Sequence, residues 1–252
     1  METAEHIRGL AREGRILADA AVKAGPDAEV PVCPGWRVRD VLRHTGTVHR
    51  WATAYVAEGG TARVPLPAAP DLDGDALAEW FREGHDRLVT TLDTAPADLR
   101  CWSFLPAPSP LAFWARRQAH ETAIHRADAE SALGQGFSPV DAAFAADGID
   151  ELLRHFHGRD RSRVRSDVPQ VLRVRTTDTD DVWTVRITSE PVRADHRKAG
   201  ADDSGEGTAP DGELSGPAEQ LYLALWNRLP PDAVTATGDA ALARLWRETS
   251  AV

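Results

Sequence analysis

A change of hydrophobic period near Arg159 constrains this chain more than any other feature of its sequence. Before it, apolar residues recur at helical spacing; after it, they alternate. The first helix is predicted over residues 3–24, where Ile7, Leu10, Ile16, Leu17 and Val22 share a stripe and Gly25-Pro26 ends it. Pro34-Gly35 makes a turn, and a second helix is expected over 36–57 with Val38, Val41, Leu42, Val48, Trp51 and Val56 inward. Gly59-Gly60 closes that helix, and a Pro-rich loop leads to a third over 74–92 carrying Leu77, Trp80, Phe81, Leu88 and Leu92. A fourth is predicted over 113–130, and a further helix over 139–157 caps or extends the group.

Four amphipathic segments joined by loops predict a four-helix bundle. Past Arg159, residues 171–190 alternate on both sides of an Asp-Thr-Asp-Asp turn, the pattern of a β-hairpin. Residues 197–213 are polar, aperiodic and expected to be a mobile loop. An amphipathic helix over 216–230, a short strand over 232–237 and a last helix over 238–248 complete a small α+β domain. The expected organisation is therefore a helical bundle at 1–158 and an α+β domain at 159–252.

Composition limits what such a protein binds. Its formal net charge is −10, which disfavours nucleic acid and anionic membranes, both of which are bound through basic surfaces. No apolar run reaches the roughly 18 residues of a membrane span. The N-terminal stretch alternates charged and apolar residues without an apolar leader, so a cytoplasmic location is expected. The two cysteines, Cys33 and Cys101, have no metal or redox spacing. Thiol chemistry, if it occurs, is expected from a thiol brought in rather than from either of them.

The fourth predicted helix carries Glu121 and His125 at i,i+4, which places carboxylate and imidazole on one face with Cβ atoms roughly 5–6 Å apart. Such a pair can close on a divalent ion at about 2.0–2.2 Å. A third ligand must come from elsewhere. On the second helix His44 and His49 are five residues apart and so point roughly 140° apart. His44 falls near the inward stripe, whereas His49 is expected to be exposed or to stand behind the ligands. His120 is one step from Glu121 and faces another way. The consistent triad is His44, Glu121 and His125. Spacing alone leaves open a solvated ion pair or a satisfied core histidine, since nine histidines give chance pairs.

Residues 33–51 (CPGWRVRDVLRHTGTVHRW) and 114–130 (WARRQAHETAIHRADAE) resemble the two signature helices of the mycothiol-dependent maleylpyruvate isomerase family, within the DinB-like metalloprotein superfamily. The stretch from GELSGPAEQLYLALWNRLP to TATGDAALARLW is similar to that family's sterol-carrier-like C-terminal domain. The resemblance implies metal ligands at His44, Glu121 and His125. It also implies a functional arginine at Arg228, where an arginine could hold a carboxylate.

Its implied cofactors are a divalent metal, zinc by ligand type, and mycothiol; its implied substrate is a small electrophile. Three protein ligands would leave a coordination position open, and a metal lowers the pKa of a thiol it binds. Addition of that metal-bound thiolate to a conjugated cis double bond, then rotation and expulsion, is isomerase chemistry; a retained adduct is S-transfer. The alternative is a non-enzymatic small-molecule or lipid-binding protein with a vestigial metal site.

Overall fold

The structure, a computed structural model, describes residues 1–200 and 209–250. It divides into two compact units, Met1–Ser138 and Pro139–Val252. The first holds four long helices: α1 (Thr3–Ala24), α2 (Val38–Glu58), α3 (Gly74–Thr94) and α4 (Pro110–Ser131). Local chemistry sets their ends. Asp40 accepts a hydrogen bond from the Arg37 backbone N–H at the start of α2 (2.8 Å), and Gly59 ends that helix at φ 68°. Ser109 caps α4 through the Ala112 N–H (3.1 Å), with Pro110 in the first turn.

α4 is the central helix. It lies along α1 and also meets α2 and α3. Phe113, Trp114, Ala115, Ala119, Ala123, Ile124 and Ala127 are all buried, and the alanines let neighbouring backbones come close. Because most of its circumference is covered, polar residues on α4 are buried too and must find partners. Arg126 is fully buried and shows how: its guanidinium meets Glu13 of α1 (2.8 Å) and Glu130, and donates to the Ser138 carbonyl (2.8 Å).

The second unit opens with α5 (Ala142–Asp150), which runs into a π-helical turn over Glu151–Phe156 and packs on α6 (Ala218–Leu225). Five strands follow: β1 (Gln170–Thr176), β2 (Asp181–Ile187), β3 (Arg193–Lys198), β4 (Gly212–Gly216) and β5 (Thr235–Gly238), with α7 (Ala240–Thr249) last. The sheet order is β3-β2-β1-β4-β5, with β1 parallel to β4 and the other pairs antiparallel. Leu172, Val174, Val185 and Ile187 fill one face of the β1–β2 hairpin, in register as Leu172 opposite Val185.

This division differs from the expected boundary at 158/159. The alternation begins after Arg159, but α5 supplies core to the second unit: Phe144 meets Tyr222 edge-on, 6.4 Å between ring centres. Neither β3 nor β4 is predicted from the sequence, and the loop expected over 197–213 overlaps the end of β3 and the start of β4. Residues 201–208, the middle of the expected mobile loop, lie outside the described residues. Among the described residues no helix is long and apolar enough to cross a membrane.

Candidate metal centre

Helices α2 and α4 run antiparallel where they meet, since Trp51 packs on Trp114 while His44 meets Glu121. That arrangement brings the three expected donors together. His44 Nε2 lies 3.2 Å and His125 Nε2 lies 3.3 Å from the same oxygen, Glu121 Oε1. One donor atom from each residue falls within 4.8 Å of the others. For comparison, donors about 2.0–2.1 Å from a tetrahedral ion stand roughly 3.3–3.4 Å apart. Two imidazole nitrogens and one carboxylate oxygen are the donor set of a catalytic zinc site, and the residues present fit such an ion. The cluster is open to solvent: the side chains of His44, Glu121 and His125 are 34, 21 and 12% exposed.

Other side chains fix this arrangement. His125 Nδ1 hydrogen-bonds Asp128 Oδ2 at 2.8 Å, and Asp128 is fully buried. A carboxylate behind a ligating histidine sets its tautomer and ring orientation. Glu121 Oε2 accepts from Arg117 at 3.2 Å. The Trp36 ring stacks parallel to His125 (6.0 Å between centres, 5°) and meets His44 edge-on (5.3 Å). Trp36 is held by the loop before α2, where its backbone carbonyl accepts from the Val30 N–H at 3.0 Å.

Electrostatics follow from these contacts. Burial pushes the Glu121 carboxyl up, but hydrogen bonds from His125 and His44 and the nearby Arg117 charge hold it well below the ordinary range. Burial disfavours a charged His125, yet Asp128 and Glu121 raise it to about 9. In the metal-free protein the site is therefore a carboxylate facing an imidazolium.

Arg228 belongs to the second unit, in the turn after α6. It is half-buried, and its guanidinium donates to the Trp226 carbonyl at 2.6 Å. Of the two places expected for His49, the exposed one is excluded: it is fully buried, with Nε2 2.8 Å from Thr122 Oγ1. Burial, and then the neighbouring His85, push it well below an ordinary histidine. Helix α2 is covered by α3 as well as α4, so a residue off one stripe still points inward. His120 faces away from the triad and packs edge-on against His6 of α1 at 5.8 Å.

Sequence reading missed Asp128 and Arg117. Both were signalled by helical spacing, as i+3 from His125 and i−4 from Glu121, but polar residues at those offsets are common on any helix. Neither Cys33 nor Cys101 forms a disulfide, and burial pushes the Cys101 thiol up, away from nucleophile activation.

A helical unit presenting two histidines and a carboxylate on antiparallel helices, followed by a mixed-sheet unit, defines the class: a bundle with a metal-type donor set joined to a small α+β domain. Residues 7–130 match the family model described as the mycothiol maleylpyruvate isomerase N-terminal domain, and residues 143–245 match its C-terminal domain. The chain belongs to the mycothiol-dependent maleylpyruvate isomerase family. Two crystal structures, of the mycothiol-dependent maleylpyruvate isomerase and of a histidine-to-alanine mutant of it, each share the fold with a TM-score of 0.64. Sequence identity is 13%, and the match covers 95% of this chain and 95% of theirs. Comparison with curated protein sequences gives no match.

Proposed function

We propose that this protein is a metal-dependent enzyme that uses mycothiol to isomerise a small cis-unsaturated acid of the maleylpyruvate type. The observation that carries this reading is the convergence of His44 and His125 on Glu121 Oε1 at a solvent-open face. Family membership supports mycothiol as the thiol and a small molecule as the substrate.

In this reading His44, Glu121 and His125 hold the ion. Asp128 keeps His125 Nδ1 protonated so that Nε2 presents its lone pair outward. A divalent ion held there would lower the pKa of an arriving thiol, supplying nucleophile at neutral pH. Addition of the thiolate to the conjugated double bond forms a C–S bond and leaves a single bond free to rotate. Expulsion of the same thiolate restores the double bond as trans, so the thiol is regenerated and nothing is oxidised. Arg228 is proposed to hold a substrate carboxylate through paired N–H donors. S-transfer is the branch of the same chemistry in which the adduct is released.

The test is metal content and turnover together. The purified protein is expected to hold about one divalent ion per chain, lost in His44→Ala, and to convert maleylpyruvate only when mycothiol is present. Chloro-dinitrobenzene with mycothiol reads the S-transfer branch. A metal-loaded protein that turns over neither substrate with thiol would overturn the enzyme reading in favour of a binding protein.

A further inference from the structure

We infer that Arg117 is a positioning residue that holds Glu121 to ligation through one oxygen and so keeps a coordination position free for the thiol. The inference rests on the metal reading proposed above and deepens it. A carboxylate can bind an ion through one oxygen or both, and the second mode fills a position that an incoming ligand would need. Here the two oxygens have separate tasks. Oε1 faces both imidazoles, at 3.2 and 3.3 Å, while Oε2 is turned to the Arg117 guanidinium at 3.2 Å.

The hold is built into the helix. Arg117 and Glu121 are i,i+4 on α4, so their approach is set by helical geometry rather than by a loop. The Arg117 side chain is 3% exposed while that of Glu121 is 21% exposed. The guanidinium is therefore the more deeply buried partner, and Oε2 is the oxygen turned to it while Oε1 is turned to the two histidines. A charge-assisted bond from a buried guanidinium restrains Oε2. Without it, Oε2 is free to swing toward the ion.

Replacing zinc by Co²⁺ makes coordination number visible, because four-coordinate Co²⁺ absorbs far more strongly in the visible range than five- or six-coordinate Co²⁺. The wild-type protein is expected to give an intense four-coordinate spectrum, with a sulfur-to-cobalt charge-transfer band on adding mycothiol. Arg117→Met is expected to bind Co²⁺ within about tenfold of wild type but with weak absorption, and to lose on the order of 10- to 100-fold in mycothiol affinity. Arg117→Lys, which keeps a cationic donor, is expected to recover part of both signals. A merely structural ion pair would change the melting temperature and leave the spectrum and the thiol band as they are, and that result overturns the inference. Loss of Co²⁺ from Arg117→Met also overturns it, since the residue would then retain the ion rather than set its coordination. Should Arg117→Met not fold, the wild-type spectrum still decides: weak five- or six-coordinate absorption before thiol addition refutes one-oxygen ligation. Failure of the wild type to bind Co²⁺ at all refutes the metal reading itself and is distinct from each of these.

Discussion

His125 stands between two carboxylates, and this makes metal binding a competition with a proton. Asp128 behind it and Glu121 in front overcome the opposing effect of burial and raise the imidazole to about 9. A histidine whose folded pKa is raised stabilises the metal-free fold most below its unfolded value of about 6.5, and that contribution is lost as pH rises through about 9. An arriving ion needs Nε2 deprotonated, so it must displace this proton at neutral pH. Apparent metal affinity is thus expected to rise about tenfold per pH unit between 7 and 9 and then level off. Calorimetric titration of metal at pH 7, in buffers of differing ionisation heat, should read one proton released per ion; affinity flat over that range with no proton released would refute it. At this scale the meeting of His44, Glu121 and His125 was legible from helical spacing, although spacing alone left their role open. The sequence was illegible where burial decided: nothing local distinguishes Asp128, which is fully buried, from an exposed aspartate three residues after a histidine.

Helices reveal a second limit of local reading, because periodicity names a stripe but not how near the next helix comes. Gly14 of α1 lies against His85 of α3, so closely that a Cβ at position 14 would sit 2.2 Å from the imidazole ring. His85 is buried, bonds the Leu10 carbonyl at 3.0 Å and stacks on Phe81, so it has no free space to retreat into. Gly14→Ala gains roughly 1 kcal/mol in helix propensity. Against this stand an overpacking cost of about 1–3 kcal/mol and a displaced hydrogen bond of about 1 kcal/mol. The clash wins, and the variant is expected to be less stable by about 1–3 kcal/mol in urea unfolding; an unchanged or raised midpoint would show that α1 and α3 can separate freely. The same limit explains the strands. The β1–β2 hairpin is local and its alternation is plain, whereas β4, Gly-Glu-Leu-Ser-Gly, is short and glycine-bounded. Its identity comes from pairing in parallel with β1 forty residues earlier, as Leu214 does with Val174.

Across the whole molecule, the two compact units place the donors and the sheet in separate cores. All three donors come from α2 and α4, and the helix joining them in sequence, α3, packs on α2. An ion binding there adds free energy only to states in which α2 and α4 are both in place, by RT ln(1 + [L]/Kd), about 4 kcal/mol at a thousandfold excess over Kd. Opening of those helices is then suppressed by roughly a thousandfold, while opening within the sheet, which breaks no ligand bond, is not. Hydrogen exchange of the full chain with and without saturating Zn²⁺ should therefore show strong slowing of core amides in α2 and α4, with rates in β1 and β2 unchanged. Equal slowing in both units would mean that they open as one cooperative body. No slowing in α2 or α4 would mean that these three side chains, close as they are, do not share an ion.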